Sequence, residues 1–172
     1  MAVVKIIQGD ILSLPVDAVV CPAHKHMIRG RGLSAQIFDR AGTALEEECR
    51  RLYRSKIGEA RLTRGYNLPA KFIIHTVTPQ WSSGDQWGVK AIEQLRQCYV
   101  SVLELALKSH IKSIAFPALG AGTNRTPHTI AAHVGLDVLH HYEDRFAELI
   151  CCLRGPAALK DWQTIERRFF NK

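Results

Sequence analysis

Two closely spaced glycine pairs are the first candidates for chemistry in this sequence. Gly30-Arg31-Gly32 lies just ahead of one helical stretch, and Gly120-Ala121-Gly122 lies a few residues ahead of another. Glycine in such places lets backbone N–H groups approach an anion with no Cβ in the way. A helix N-terminus behind the loop adds favourable partial charge. Two such loops facing one crevice would grip two linked phosphates, although each G-x-G alone is as readily a simple turn. Asp10, directly after Gly9, is a lone carboxylate. It suits an N–H donor and would repel a phosphate; its plainer reading is a turn or helix-cap residue. His24 has an imidazole that titrates near neutrality, so it could act as a general base or bond a hydroxyl. The plainer reading makes it a polar residue at a pocket rim. The spacing Cys21-x-x-His24-x-His26 offers zinc-type ligands. No second Cys or His cluster lies close in sequence and an apolar strand end accounts for Cys21, so neither a metal nor a resident cofactor is expected.

These residues need elements to position them. Val3 to Ile7 form a β-branched run stopped by Gly9-Asp10, and a second run covers residues 16–21 after Pro15. Helical stretches follow over 33–41 and 44–53, with Leu33, Ile37 and Ala41 recurring every four residues. Strands are expected at 61–63 and 72–77, separated by turn-forming residues 65–69. A Ser-, Gly- and Trp-bearing loop, 81–88, leads into a long helix at 89–108, and Trp81 and Trp87 are expected to pack that loop. A short buried strand at 114–116 precedes the glycine loop 117–126. Thr126 and Pro127 read as the N-cap and first residue of the next helix. A last strand at 149–153 and an amphipathic helix at 156–169 complete the chain. Alternation of strands and helices with no linker or repeat predicts one layered α/β domain over residues 1–172, with a largely parallel sheet. Ligands in such domains settle beyond the carboxyl ends of the strands.

The 172 residues carry 23 Lys+Arg against 16 Asp+Glu, a formal charge of +7. That predicts attraction to anions without saying which. Five cysteines, an odd number with two adjacent, do not form a disulfide framework. The start lacks the long apolar segment of a signal peptide, and no run approaches the roughly 20 apolar residues that cross a bilayer. A soluble protein of a reducing, cytoplasmic compartment with no membrane partner is the expectation.

The order of segments resembles the macro domain family along essentially the whole chain. Gly9-Asp10-Ile11, Val16-Asp17-Ala18-Val19-Val20, Cys21-Pro22-Ala23-His24, Gly30 to Leu33 and Arg40-Ala41-Gly42 carry the first half of the likeness. Gly58-Glu59-Ala60, residues 63–71, Ile74-His75-Thr76-Val77, Cys98-Tyr99 and residues 113–122 continue it in the family's order. The resemblance implies a three-layer α/β/α sandwich around a mixed, largely parallel sheet of about six strands. It also implies an ADP-ribose pocket at the crest of that sheet. Asp10, with Ile11, matches the position that accepts from the adenine amino group. Cys21 and His24, then Gly30, Arg31, Gly32, Leu33 and Ser34, match the loop on one side of the diphosphate and distal ribose. Ala118, Leu119, Gly120, Ala121, Gly122, Thr123 and Asn124 match the loop on the other.

Several positions depart from the family pattern. The second motif usually ends in Asn, where this chain has His24, and hydrolytic members of one branch place Asp where this chain has Ser34. The family's usual water-orienting pair is therefore missing, and the common aromatic near Asn124 is missing too. Lys25, His26, Arg29 and Arg31 make the first loop unusually basic, with Arg29 or Arg31 placed to neutralise a diphosphate. Arg154, beyond the last strand, is a candidate to stack on adenine. His75 reads as a structural strand histidine, and His140 and His141 as favourable charges near a helix C-terminus. The expected function is binding of ADP-ribose or an ADP-ribosylated macromolecule, with hydrolysis of mono-ADP-ribosyl linkages or O-acetyl-ADP-ribose as the enzymatic form and His24 as its candidate catalytic residue. The alternatives are a non-catalytic reader or a module binding nucleic acid such as adenine-rich RNA. Against nucleic acid, the sequence shows no aromatic and basic interleaving along an exposed stripe. The linkage, the target and the oligomeric state are not fixed by the sequence.

Overall fold

A computed structural model describes residues 2–81 and 88–170. Its centre is a six-stranded sheet, β1 (Val4–Gln8), β2 (Ala18–Pro22), β3 (Ala60–Arg64), β4 (Phe72–Thr76), β5 (Ser113–Phe116) and β6 (Glu148–Leu153), in the order β1-β6-β5-β2-β4-β3. Every pairing is parallel except β3 with β4. Because side chains alternate across a pleated strand, each central strand feeds two cores. Val20, Ile74, Ile114, Phe116 and Leu149 face one way, while Val19, Cys21, Ile73, Ala115 and Ile150 face the other.

Helices cover both faces. On one side lie α1 (Gly32–Ala41) and α2 (Thr43–Leu52), which bury Ile37, Phe38, Leu45 and Cys49. On the other lie α3 (Val89–Lys108), α4 (His128–Tyr142) and α5 (Pro156–Phe169). In α3, Leu95, Tyr99, Val102 and Leu103 recur at helical spacing and are buried. Trp162 of α5 is wholly buried beside Tyr99, with Gly135 of α4 leaving room for both rings. The three-layer sandwich and mixed sheet expected from the sequence are thus observed.

The structure corrects some boundaries. Val16 and Asp17 precede β2 instead of belonging to it; the Asp17 carboxylate accepts from the N–H groups of Lys112 and Ser113 at the start of β5. Helix α4 begins at His128, with Pro127 in the N-cap position and no side-chain cap. The Thr126 hydroxyl does not cap it: it is buried, has no hydrogen-bond partner, and faces Gly120. Trp81 lies across Gly88, whereas Trp87 falls outside the described residues. All five cysteines are buried free thiols.

Candidate functional site

β1, β6, β5 and β2 are adjacent and parallel, so their carboxyl ends lie side by side. The segments leaving those ends are residues 9–10, 154–155, 117–127 and 23–31. Three of them run straight into helices α5, α4 and α1. None of these three helices has a side-chain cap at its N-terminus, and none has an acidic residue in its first turn. One edge of the sheet therefore collects three unneutralised positive helix ends, a setting that favours an anion.

The two glycine loops meet there. A Cβ placed on Gly32 would lie 3.9 Å from Cγ2 of Thr123, so the first loop abuts the second. At the head of α1 the N–H groups of Gly32, Leu33 and Ser34 precede the first intrahelical acceptor, and Ala35 already bonds the Arg31 carbonyl at 3.4 Å. The second loop is braced by its own backbone: Leu119 N–H to Pro117 O at 2.8 Å, Ala121 to Ala118 at 3.1 Å, and Thr126 to Gly120 at 2.8 Å. The N–H groups of Gly120, Gly122 and Thr123 have no partner among the described residues.

Individual side chains sort into those that face the crest and those committed elsewhere. Asp10 Oδ1 accepts from Leu12 N–H at 3.0 Å, capping a one-turn 3-10 helix, Ile11–Ser13, that buries Ile11. Its Oδ2 accepts from Arg40 Nη1 at 2.8 Å. The Arg40 hydrogen bond, then the Leu12 N–H, hold the carboxyl below its ordinary pKa, and the charge of Arg154 adds to this. Arg40 is a residue the sequence reading missed; it sits thirty residues away, on α1, and no local signal links the two. Asp10 remains about half exposed, with lone pairs left for a further donor.

His24 Nδ1 accepts from the backbone N–H of His26 at 3.1 Å. The neutral ring therefore carries its proton on Nε2. Partial burial lowers its pKa, helped by the charges of His26 and Lys25. Gly30 sits above it, since a Cβ there would lie 3.6 Å from both His24 Cβ and Ser34 Oγ. The Ser34 hydroxyl is buried without a hydrogen-bond partner. Cys21 is fully buried beneath this loop, and burial pushes its thiol up to about 12. The described residues contain no group of three His, Cys, Asp or Glu placed to hold a metal.

One sequence expectation changes. Arg29 does not face the crest; its guanidinium makes a two-point pair with Asp39 at 2.7 Å and 2.7 Å. The Asn124 amide donates to Thr78 Oγ1 at 2.7 Å and Thr78 O at 3.1 Å, which ties the second loop to the segment just past β4. Ala118 and Ala121 are half-buried and Leu119 is buried, so those residues offer backbone to the crest. His75 is the structural histidine expected: it is buried, bonded through Nε2 to Thr63 Oγ1 at 2.9 Å, and depressed by burial to about 3.

The family model for the macro domain matches residues 20–135. The chain belongs to the macro domain family. A macro domain-containing protein of Mesorhizobium japonicum is 43% identical over 170 residues, covering 91% of this chain and 95% of that protein. A protein named ADP-ribose glycohydrolase MACROD1, of Mus musculus, is 38% identical over 154 residues, covering 87% of this chain and 47% of that longer protein. Among solved structures, a mutant macrodomain of Oceanobacillus iheyensis with ADPR superimposes with a TM-score of 0.89 at 27% identity, covering 97% of this chain and 93% of that one. A Trypanosoma brucei macrodomain in complex with ADP gives a TM-score of 0.86 at 28% identity, covering 94% and 68% of the two chains. In this macro domain no helix among the described residues is long and apolar enough to cross a membrane.

Proposed function

We propose that this macro domain binds ADP-ribose and ADP-ribosyl groups at the crest of its sheet. The observation that carries the reading is the union of three uncapped, acid-free helix N-termini with two abutting glycine loops, in which the N–H groups of Gly120, Gly122 and Thr123 have no partner among the described residues. That arrangement fits a diphosphate, held by backbone dipoles and not by side-chain charge. In this reading Asp10, pinned by Arg40, would accept from the adenine amino group. His24, donating through Nε2, would meet the distal ribose. The relatives named for ADP-ribose glycohydrolysis, ADPR and ADP support the same ligand class.

Calorimetric titration with ADP-ribose, ADP and AMP tests this. Saturable ADP-ribose binding is expected, weaker for AMP, and weakened by Asp10→Ala. Absence of saturable binding, or binding indifferent to Asp10, overturns the reading.

A second, enzymatic reading is favoured by the likeness to the glycohydrolase MACROD1. Hydrolysis at the distal ribose requires an oriented water and a stabilised leaving group, and no covalent nucleophile. With Nδ1 engaged by His26, the neutral His24 ring supplies a donor at Nε2 and not a base, so it would orient the ribose instead of activating water. Incubation of a mono-ADP-ribosylated protein, and separately of O-acetyl-ADP-ribose, with wild type and His24→Ala tests the point. Equal release by both removes His24 from the mechanism, and no release by either leaves a reader.

A further inference from the structure

The +7 surplus is not spread over the surface. Residues 50–64 hold six cations, Arg50, Arg51, Arg54, Lys56, Arg61 and Arg64, against one acid, Glu59. The other residues hold seventeen cations against fifteen acids. What sets these six apart is their density along one stretch, since exposed cations elsewhere, such as Lys25, Arg31 and Arg154, also lack a carboxylate partner among the described residues. Lys5, Arg29, Arg40 and Arg96 each pair with a carboxylate. Among the described residues, none of the six side chains does, although the Glu48 carboxylate accepts the Arg64 backbone N–H at 3.2 Å. The Glu59 carboxylate instead accepts the Lys56 backbone N–H at 2.6 Å.

An aromatic ring stands within this group. Tyr53 is 71% exposed. It closes α2 by bonding the Cys49 carbonyl, then turns the chain at φ 63 and ψ −65 with Arg54 N–H bonded to Leu52 O at 2.8 Å. This γ-turn with positive φ is rare and strained for a side-chain-bearing residue. Arg61 Nη2 holds the next carbonyl, Arg54 O, at 3.0 Å, which fixes the turn to edge strand β3. The strip begins beside the crest: Ser55 N–H bonds Lys25 O at 2.9 Å, one residue from His24. Cations on an edge strand can serve only to prevent edge pairing. Arg61 and Arg64 would suffice for that, and Arg50, Arg54 and Tyr53 lie off the strand.

We propose that this strip, which starts beside the pocket rim at the end of α2 and runs away from it along β3, binds single-stranded nucleic acid, with phosphates on the cations and a base stacked on Tyr53. Charge density alone suits any polyanion; the exposed ring held in a strained turn selects a ligand with aromatic faces. Arg50, Arg51, Arg54 and Lys56 flank Tyr53 in the sequence itself, a short basic and aromatic run; the turn exposes the ring, and β3 adds Arg61 and Arg64 beside it. That the strand is also a carrier bringing ADP-ribosyl groups to the pocket rests on the function proposed above; binding to the strip does not.

Fluorescence anisotropy with a labelled single-stranded 12-mer at 50 mM salt tests it. Saturable binding is expected, with affinity falling as salt rises by a slope of about 0.7 per phosphate contact. Arg54→Glu with Lys56→Glu should weaken binding at least about tenfold and flatten the slope by about 1.4. Tyr53→Ala should weaken binding about fivefold or more with the slope unchanged, while Tyr53→Phe retains it. Tyr53→Leu, which keeps the bulk without the ring face, stands in if the alanine variant does not fold. ADP-ribose calorimetry on the same variants should match wild type, so a failed strip is distinguished from a failed pocket. Undiminished binding by the charge-reversed variant, no saturable binding, or equal competition by polyglutamate overturns the proposal; the last assigns the strip to acidic peptides.

Discussion

The Nδ1 atom of His24 accepts the backbone N–H of His26 at 3.1 Å, and that one bond decides which nitrogen faces the crest. Its pKa is lowered, first by partial burial and then by the charges of His26 and Lys25. The neutral form is thus the one the fold prefers. The stability this contributes is present above the ordinary value of 6.5 and is lost as pH falls through the lower folded pKa. An NMR titration of His24 should give a midpoint below 6.5. His24→Asn, which also offers an N–H donor, should keep ADP-ribose affinity within about threefold, whereas His24→Ala should lose about 0.5–1.5 kcal/mol, the net worth of a hydrogen bond.

His75 makes the chain sensitive to acid. Burial takes its pKa from 6.5 to about 3. The unfolded chain therefore binds a proton that the folded chain refuses between those values, and stability falls as pH falls. The slope is about 1.4 kcal/mol per pH unit, beginning near 6.5. Urea midpoints measured from about pH 7 to about pH 4 should show it, and His75→Leu should remove most of it. His24 contributes a smaller slope of the same sign that survives the substitution.

Much of the fold was legible because periodicity and strand chemistry report burial directly: α3 and α5 begin and end where the spacing of Leu95, Tyr99, Val102 and Trp162 places them. Where the sequence misled, a partner distant along the chain had intervened. Arg29 reads as a free loop cation until α1 brings Asp39 beside it. Asp10 reads as a lone carboxylate until the same helix delivers Arg40. Thr126 reads as a cap because Pro127 follows, yet its hydroxyl is turned to Gly120 by the Thr126 N–H to Gly120 O bond. The strip at residues 50–64 was legible in part, since Arg50, Arg51, Arg54 and Lys56 flank Tyr53 in the sequence; only the return of Arg61 to the Arg54 carbonyl needed the fold.

Arg40 should matter more for ligand than for stability. Its pair with Asp10 is half exposed on both sides, and such pairs contribute about 0–1 kcal/mol. Arg40→Ala should therefore leave the urea midpoint almost unchanged. It should also raise the Asp10 pKa toward its ordinary value, because the Arg40 hydrogen bond is the largest cause of the depression. With the carboxylate no longer held, ADP-ribose affinity should fall about three- to tenfold, the net worth of about one hydrogen bond. Calorimetry beside an NMR titration of Asp10 checks both parts; an unchanged affinity would separate Arg40 from the adenine end of the pocket.

The two glycines of the second loop should separate folding from binding. Gly120 has φ +84, and a Cβ there would lie 3.1 Å from Thr126 Oγ1 and 3.2 Å from Leu95 Cδ1. Gly120→Ala therefore forces an L-residue into the left-handed region, at a cost of about 1–2 kcal/mol, and presses on a core leucine. Its urea midpoint should fall accordingly. Gly122 has no positive φ, and a Cβ added there would meet nothing within 4 Å. Gly122→Ala should keep stability within about 0.5 kcal/mol of wild type. The added methyl stands on the exposed face of the loop, where a diphosphate would approach the free N–H groups. ADP-ribose affinity should then drop while ADP-independent properties stay fixed. Unaltered ADP-ribose binding by a well-folded Gly122→Ala would place the anion elsewhere than on this loop.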